Sequence, residues 1–506
     1  METTHTPIEA LSEGEERFER ARRAAGFALA PAVFAAVWLL PLAGLKPEAH
    51  RLAAVMAAVI VLWVTESLPM PVTALLGAAA CVVLRVAPAR DVFAPFADPL
   101  IFLFIGSFIL ARAIFLHRLD RRLAFGVLSM GWVGARPSRI LFAFGAVTAF
   151  LSAWVSNTAT TAMMFTIGMA ILSFLFEREK DGGPAVSRSY ATALMLMTSF
   201  AASIGGLATP IGTPPNVIGL SFVRQLTGAE FPFFKWAVIG VPVVVVLFLW
   251  LYVYLNWLSP AGVREIEGSR ELIARERDRL GAWTAAQRST LLAFLVTVTL
   301  WVVPGFIALA AGDQSAAYQG FNRSVPEAVA ALVGAGLLFL LPGGGGRRAI
   351  NWEEAVKIDW GVVLLYGGGL TLGVLSFQTG LAEAVGRGLT GLLPVSGGLG
   401  LLFAATLVAV ITSEATSNTA SATMVVPVVI AIAKAQGADP LEPALGATMG
   451  ASLGFMLPVS TPCNAIVYGS GLIPISRMIR YGFLLDVVGV FIIVALVRLL
   501  VPFLRA

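Results

Sequence analysis

Repeated apolar runs of membrane-spanning length constrain this chain more than any other feature. Crossing about 30 Å of hydrocarbon takes about 20 apolar residues in a helix. Of the 506 residues, 58% are apolar and only 13% are charged, whereas about 25% are charged in a soluble domain. We therefore predict an all-α polytopic membrane protein. Nine unbroken runs lie near residues 27–45, 52–69, 71–87, 99–116, 234–257, 289–311, 326–342, 360–380 and 482–504.

The remaining composition excludes several classes of protein. The two cysteines, Cys81 and Cys463, both lie in apolar surroundings, so neither a disulfide framework nor a cysteine-rich metal site is expected. The net charge of +5 is not gathered into a basic patch large enough to bind nucleic acid. We interpret it as the excess of Lys and Arg that is typical of the cytoplasmic loops of membrane proteins. We expect no nucleic-acid partner and no cofactor.

Four further stretches are apolar overall but interrupted by Ser, Asn, Thr, Gly and Pro: 138–176, 191–228, 397–434 and 441–475. We interpret 138–176 and 397–434 as re-entrant hairpins, and 191–228 and 441–475 as broken helices that each cross once. With the N-terminus inside, eleven crossings result.

The charges agree with this topology, because inner loops of membrane proteins are enriched in Lys and Arg. The outer loops hold only Lys46, Arg51, Arg90, Lys235, Arg323, Arg387 and a few terminal charges. The inner loops hold Arg121, Arg122, Arg136, Arg178, Lys180, Arg188, the block from Arg264 to Arg288, Arg347, Arg348, Lys357, Arg477 and Arg480. We predict a multi-pass protein of the cytoplasmic membrane with a cytoplasmic N-terminus.

The predicted domain order places two similar units on either side of a charged linker, residues 259–288. The i,i+4 pairs of this linker, such as Glu271 with Arg275, are typical of a solvated helix. The run Gly343–Gly346 lacks the Lys-Ser/Thr of a phosphate loop and predicts a flexible turn. The predicted units are a cytoplasmic tail (1–26), a first transmembrane helix (27–51), a first repeat (52–258), a cytoplasmic linker (259–288) and a second repeat (289–506).

Two motifs recur in the same order in the two halves. The pattern S-x-x-x-S-N-T-A occupies residues 152–159 and 413–420, and Gly212-Thr-Pro-Pro-Asn216 is echoed by Ser460-Thr-Pro-Cys-Asn464. Such recurrence indicates a duplication. With five crossings in each half, the second copy is inverted relative to the first, as in inverted-repeat transporters, whose sites lie where broken helices of both halves meet near the membrane midplane.

The motif residues suit an anion and a cation together. Ser156, Asn157 and Thr158 at a hairpin tip offer hydroxyls, an amide and the free N–H groups of a helix start, which can hold a carboxylate without Arg or Lys. Oxygens of Ser152, Ser156 and Asn157, with carbonyls of the helix that ends before the tip, could surround a small hard cation. Helix packing and kinking is the alternative for any single motif, but recurrence in both halves favours a binding site.

At these residues the sequence resembles the divalent anion/sodium symporter (DASS) family, which includes sodium-coupled carriers of succinate and related di- and tricarboxylates. The resemblance covers nearly the whole membrane chain. It implies eleven transmembrane helices with two re-entrant hairpins, scaffold and transport domains, a homodimer and an elevator motion. It also implies a carrier rather than an enzyme.

The resemblance further implies site residues, and the motifs depart from the commoner family pattern at two positions. Cys463 stands where a second Pro is often found and Ser460 where Ala is frequent, which leaves the sodium stoichiometry open. The substrate residues it implies are Asn157, Thr158, Thr213, Asn418, Thr419, Thr461 and Pro462. The sodium ligands it implies are Ser152, Ser156, Asn157 and Gly212 at one site, and Ser413, Thr416, Asn418 and Ser460 at the other.

The expected function is sodium-coupled transport of C4-dicarboxylates such as succinate, malate and fumarate. A sodium-independent dicarboxylate exchanger and a carrier of citrate, sulfate or another oxyanion stay open as alternatives. An intramembrane hydrolase is a remote alternative, because Ser470 has no histidine candidate beyond His117. Glu414 is the one acid inside a motif; it could orient the hairpin, pair with a base or titrate, and we favour the structural role over proton coupling.

Overall fold

The computed structural model describes residues 13–42, 44–181, 186–266, 268–390 and 397–504. Over these ranges the chain is almost entirely helical. The helices are α1 Glu13–Leu39, α2 Pro47–Thr65, α3 Met70–Val83, α4 Ala89–Phe93, α5 Pro99–Leu116, α6 Leu119–Leu128, α7 Pro137–Ser152, α8 Asn157–Lys180, α9 Arg188–Gly205, α10 Pro214–Thr227, α11 Phe233–Leu258, α12 Ser269–Asp278, α13 Ala285–Ala311, α14 Ala316–Ser324, α15 Glu327–Leu340, α16 Trp352–Ala355, α17 Trp360–Gln378, α18 Leu381–Thr390, α19 Gly398–Ala415, α20 Asn418–Ala435, α21 Leu441–Gly450, α22 Pro462–Tyr468 and α23 Ile475–Leu500.

Short elements complete the described chain. Three 3₁₀ helices cover Ala94–Ala97, Gly206–Ala208 and Val501–Leu504. Strands β1 (Pro342–Gly344) and β2 (Arg347–Arg348) pair antiparallel. The glycine run predicted as a turn forms the end of β1 and the turn to β2. Gly344, Gly345 and Gly346 all have positive φ, a conformation that glycine adopts at little cost.

Eleven helices of the described ranges are long and apolar enough to cross a membrane. The fold is therefore an all-α polytopic membrane fold, as predicted. These helices are α1 (from Arg20), α2, α5, α8, α9, α11, α13, α17, α19, α20 and α23.

The number equals the predicted number of crossings, but the members differ. Helices α8, α19 and α20 belong to stretches predicted to be re-entrant, and length alone does not distinguish a re-entrant helix from a spanning one. Helix α3 has 14 residues, about 21 Å at 1.5 Å per residue, which is shorter than the hydrocarbon thickness. Helix α15 is equally short, and it follows α14 at a bend of 53°.

The first helix does not keep to its predicted bounds. Helix α1 begins at Glu13, inside the segment predicted as a tail, and ends at Leu39. The predicted first span (27–51) therefore covers the end of α1 and the start of α2. The polar segment is rich in Glu, Arg and Ala, which favour a helix outside the membrane as well. An ion pair of 2.9 Å between Arg22 and Glu66 holds it against the end of α2.

The linker packs against the protein more than a solvated helix would. Helix α12 contacts α6, and Ile273 on α12 is buried. The predicted pair between Glu271 and Arg275 is absent from the ion pairs of the described residues. Arg279 instead pairs with Glu276, so this detail of the prediction is wrong.

Helices α7 and α8 form the first helix pair, and α19 and α20 form the second. In each pair the two helices contact one another. Ser156 precedes α8, and its hydroxyl accepts a hydrogen bond of 3.4 Å from the Ala159 N–H. Ser417 precedes α20 in the same way, at 3.2 Å from the Ala420 N–H. Serine at this position satisfies an N–H group that has no partner inside the helix, which explains why both helices begin at the Ser-Asn-Thr motif.

Two interruptions follow the helix pairs. The first break (residues 206–213) separates α9 from α10, and the second break (residues 451–461) separates α21 from α22. Pro214 and Pro462 are the first residues of the helices that follow, a position where the missing N–H of proline costs nothing. Gly205 at the end of α9 lies so close to α7 that an added Cβ would be 2.2 Å from the Ala149 carbonyl oxygen.

The broken helices lie at the centre of the molecule. Every residue of α9 from Tyr190 to Gly205 is buried, as is every residue of α21. Helix α22 packs against α8 and α9, while α10 packs against α20 and α21. In each half, the helix that follows the break therefore contacts the other half. It packs there against one helix of the helix pair and against the helix that precedes the other break.

Candidate functional site

The tip of the first helix pair gathers oxygen atoms around the Asn157 carboxamide. One end of this carboxamide lies 2.7 Å from the Ser152 hydroxyl, 3.1 Å from the Ala202 carbonyl oxygen and 3.3 Å from the Gly212 carbonyl oxygen. With the amide nitrogen at this end, Asn157 donates to these acceptors. With the oxygen there, Asn157 adds a fourth oxygen to three others within 3.3 Å of it, and oxygens of these kinds are the ligands that hard cations bind.

Two glycines of the first break allow this close approach. A Cβ on Gly206 would be 2.4 Å from the Asn157 side-chain oxygen, and a Cβ on Gly212 would be 2.5 Å from the Gly206 carbonyl oxygen. Any larger side chain at either position would push the first break away from Asn157. Three of the predicted ligands, Ser152, Asn157 and Gly212, are thus brought together.

The tip of the second helix pair has a related arrangement. The Ser413 hydroxyl lies 2.8 Å from the Asn418 side-chain oxygen and 2.8 Å from the Ala451 carbonyl oxygen. The Asn418 amide donates to the Ser452 carbonyl at 3.4 Å. Gly454 approaches both side chains, since a Cβ added to it would be 3.2 Å from the Ser413 hydroxyl and 3.3 Å from the Asn418 side-chain oxygen. The predicted ligands Ser413 and Asn418 are therefore neighbours.

Ser156 and Thr416 have hydroxyls that already serve the backbone. The Ser156 hydroxyl caps α8, as described above. The Thr416 hydroxyl donates to the Thr412 carbonyl at 2.7 Å. Both residues lie at the tips, but as arranged here their side chains do not contact the other predicted sodium ligands through any hydrogen bond of the described residues.

Ser460 contacts Glu414 instead of Asn418. Its hydroxyl donates to the Glu414 carboxylate at 2.6 Å and lies 3.1 Å from the Glu414 backbone carbonyl. The other carboxylate oxygen of Glu414 accepts from the Met456 N–H at 2.7 Å. Glu414 lies at the end of α19 and thus fastens the second break to the tip of the second helix pair, which is the orienting role favoured from the sequence.

The predicted substrate residues differ in exposure. Thr213 and Thr461 are buried and directly precede α10 and α22. Thr158 and Pro462 are exposed and Thr419 is half-buried. All of these residues stand at or next to the first residue of a helix, where N–H groups and the helix dipole favour negative charge.

Cys463 brings the two halves together. It is buried on α22, and α22 packs against α8 and α9 of the first half. The start of α22, where Thr461 and Pro462 stand, is thereby held against the helix that begins at the Asn157-Thr158 motif.

Two asparagines missing from the predicted ligands hold the breaks in shape. The Asn216 amide donates to the carbonyls of Gly206 and Thr209, both at 2.8 Å. The Asn464 amide donates to the carbonyls of Gly454 and Leu457, both at 2.9 Å. In each half the acceptors precede the asparagine by ten and seven residues. The signal was present, because these asparagines end the recurring Thr-Pro motifs.

Ser470 and His117, the two residues considered for a hydrolase, share no hydrogen bond in the part of the chain that the structure describes. The Ser470 hydroxyl donates to the Val467 carbonyl at 2.6 Å, and the His117 ring nitrogen Nε2 lies 2.6 Å from the Ala349 carbonyl oxygen. The two side chains are thus engaged with different parts of the backbone.

Curated relatives resemble this chain over most of its length. A "Sodium-dependent dicarboxylate transporter SdcS" of Staphylococcus saprophyticus is 35% identical over 445 residues, which are 87% of this chain and 84% of the relative. The protein of the same name from Staphylococcus aureus (strain MRSA252) is 33% identical over the same shares.

A solved structure shares the fold. The YdaH transporter of Alcanivorax borkumensis superposes with a TM-score of 0.52 at 13% identity, over 81% of this chain and 86% of that one. The sequence profile of the family described as "Sodium:sulfate symporter transmembrane region" matches residues 21–504. Since this match spans nearly the whole chain, the protein is a membrane transporter, not an enzyme, and it belongs to the sodium:sulfate symporter family, the DASS family of the sequence resemblance.

Proposed function

We propose that this protein is a sodium-coupled carrier of C4-dicarboxylates of the succinate, malate and fumarate type. Sodium ions occupy the sites around Asn157 and Asn418. The dianion lies between the two tips, where its carboxylates meet Asn157 and Thr158 on one side and Asn418 and Thr419 on the other. Thr213, Thr461 and Pro462 complete its surroundings from the starts of α10 and α22.

The observation that carries the proposal is the paired arrangement of uncharged oxygens at the two tips. Ser152 with Asn157 and Ser413 with Asn418 each lie against a backbone carbonyl oxygen of a break. None of the proposed ligands is a cationic side chain. A dianion in such a site needs positive charge from elsewhere, and bound sodium supplies it because opposite charges attract strongly where water is excluded.

The names of the relatives support the same ligands. Two proteins at least 33% identical to this one are called sodium-dependent dicarboxylate transporters. We propose that this chain binds the same two ligands, because its motif residues offer hydroxyl, amide and carbonyl groups suited to them.

The transport cycle that we propose is an elevator. The halves 52–258 and 289–506 form an inverted repeat, and a homodimer stands in the cytoplasmic membrane with its N-termini in the cytoplasm. The helix pairs and broken helices move together as the transport domain. The buried broken helices and their packing across the halves support a compact moving unit, and alternating access of this kind is common in inverted-repeat carriers.

Two other functions deserve a test. The family description names sulfate, which favours an oxyanion carrier as a second candidate. A sodium-independent dicarboxylate exchanger is the third, because Ser460 is engaged with Glu414 and leaves the second sodium site with fewer free oxygens.

Uptake of labelled succinate into proteoliposomes separates these functions. We expect uptake that requires an inward sodium gradient, persists without internal substrate and is inhibited by external malate and fumarate. Potassium replacing sodium at equal ionic strength is the control. Uptake that depends on internal dicarboxylate but not on sodium identifies the exchanger. Labelled sulfate accumulating in place of succinate identifies the oxyanion carrier. Either result overturns the proposal.

A further inference from the structure

Asn464 is bonded through both ends of its side chain. Its amide nitrogen holds the second break through Gly454 and Leu457, and its oxygen accepts a hydrogen bond of 2.6 Å from the Ser199 hydroxyl. Ser199 lies on α9, in the first half of the chain. Both side chains are fully buried. One asparagine thus connects the second break to a helix of the other half.

The corresponding asparagine of the first half lacks this connection. Asn216 holds the first break in the same way, but its side-chain oxygen is buried and has no hydrogen-bond partner among the described residues. Ser199 stands seven residues before Gly206, and the residue seven before Gly454 is Ala447. The helices also correspond, because α22 packs against α9 and α10 packs against α21. By this correspondence Ala447 occupies the position equivalent to Ser199, and alanine has no side-chain donor to offer Asn216.

Ser199 and Asn464 join the elements that build the two proposed sodium sites. Helix α9 carries Ala202, whose carbonyl faces Asn157, and runs directly into the first break. Asn464 fixes the carbonyl of Gly454, the residue that lies against Ser413 and Asn418. One buried hydrogen bond therefore connects the elements that build the two proposed sites.

We propose that Ser199 and Asn464 are positioning residues that couple the two sodium sites, so that sodium at one site prepares the other. This inference rests on the proposed function and adds a path between its two sites. Among the described residues, only one of the two equivalent asparagines is bonded to the other half. Asn464 accepts from Ser199, whereas Asn216 has no equivalent donor because Ala447 stands at the corresponding position.

The test is the sodium dependence of succinate uptake in Ser199→Ala. We expect its half-maximal sodium concentration to rise about fivefold or more, the lower range of couplings between sites, and the Hill coefficient to fall towards one. Maximal uptake at saturating sodium is retained. Ser199→Thr keeps the hydroxyl and restores the wild-type curve. A role confined to folding would lower the amount of active protein without shifting the curve.

The matched control is Thr198→Val on the same helix. Thr198 is equally buried, but its hydroxyl donates to the Leu194 carbonyl of its own helix at 2.8 Å. Its sodium curve should equal that of the wild type. An unchanged curve in Ser199→Ala, or an equal shift in Thr198→Val, overturns the inference.

A second variant keeps the inference falsifiable if Ser199→Ala does not fold. Ala447→Ser adds a hydroxyl at the position equivalent to Ser199, as a donor for the unpartnered oxygen of Asn216, and we expect it to lower the half-maximal sodium concentration about fivefold or more, the converse effect. An unchanged or raised value counts against the coupling. Sodium independence in the wild type itself would overturn the proposed function, and with it this inference, whereas a failure confined to the variants overturns the coupling alone.

Discussion

The guanidinium of Arg224 pairs with the carboxylate of Asp98 at a junction of three helices. Asp98 is buried directly before α5 and also accepts hydrogen bonds from the Leu100 N–H at 2.9 Å, the Gln225 amide at 2.8 Å and the Tyr366 hydroxyl at 3.2 Å. Arg224 and Gln225 are on α10, and Tyr366 is on α17. One buried carboxylate therefore ties the helix after the first break to two helices outside the site.

Loss of the guanidinium should destabilise this junction. We expect Arg224→Ala to lower the free energy of unfolding by about 1–3 kcal/mol, because a buried charged acceptor loses its strongest donor. The control is Arg277→Ala, whose exposed pair with Asp278 should be worth less than about 1 kcal/mol. Thermal unfolding of the two purified variants in detergent measures the difference. Equal losses would mean that burial of Asp98 is not what gives the pair its strength.

Asn157→Ala and Asn418→Ala should each abolish succinate uptake while leaving the protein folded. Each carboxamide is proposed to face a sodium ion and a substrate carboxylate, so that its removal affects both ligands. Asn256→Ala, on α11 outside the site, is the control and should transport normally. Uptake per amount of purified protein is the measurement. If both site variants transport like the wild type, these residues do not form the site; if they lose folded protein instead, their role is packing.

The local structure of the site could largely be predicted from the sequence. Ser156 and Ser417 are good helix N-caps, and Pro214 and Pro462 mark the starts of the helices after the breaks. These are short-range effects, which act within a few residues. Hydropathy, by contrast, reports where a helix meets lipid but not where it begins, which is why α1 starts at Glu13 in a segment predicted as a tail.

The long-range contacts of the site could not be predicted. Ser199 and Asn464 are 265 residues apart, and Ser460 and Glu414 are 46 apart. A lone serine in an apolar helix carries no signal of its partner, because its hydroxyl can equally bond to its own helix, as that of Thr198 does. The pairing is decided by how α9 and α22 pack, and one sequence does not encode that packing in a readable pattern.

The proposed topology places the linker inside the cell and the loop after α13 outside. We expect Arg277→Cys to be labelled by a membrane-impermeant maleimide only from the cytoplasmic side, and Gln314→Cys only from the outside. The native Cys81 and Cys463 are buried. Labelling of the wild-type protein measures the background labelling of these two cysteines. Right-side-out and inverted vesicles separate the two accessibilities. Reversed labelling would overturn the orientation, and labelling of both positions from one side would overturn the odd number of crossings between them.

Asp120 should make the protein less stable as pH rises. Burial on α6 raises the pKa of its carboxyl from 3.8 to about 6, so the folded state holds this proton more tightly than the unfolded state does. Stability from this group is therefore full below about pH 4 and is lost as pH rises through about 6.

Asp120→Asn should remove this loss. We expect it to raise the unfolding free energy at pH 7.5 by up to about 3 kcal/mol, from 1.36 kcal/mol per pKa unit, and to have no effect at pH 4. Asp278→Asn, at an exposed linker position, is the control and should change little at either pH. Melting temperatures in detergent at the two pH values measure the effect, and a gain that is equal at both would contradict a titration of Asp120.

Sodium rather than protons should assist substrate binding. The carboxylate of Glu414 is occupied by the Met456 N–H and the Ser460 hydroxyl, which is the arrangement of an anchor. We therefore expect succinate affinity to rise with sodium at constant pH and ionic strength, and sodium affinity to rise with succinate by the same factor, as linkage requires.

Glu414→Gln separates an anchor from a coupling group, because glutamine keeps the shape of the side chain and an oxygen that accepts from Met456. Isothermal binding measurements on the purified variant should find the sodium linkage preserved. They should also find the same weak dependence on pH as in the wild type. If succinate binding ignores sodium and follows a pH titration that Glu414→Gln removes, protons are the coupling ions. If it ignores both while internal dicarboxylate accelerates uptake, the protein is an exchanger, and the oxygens around Asn157 and Asn418 bind only the substrate.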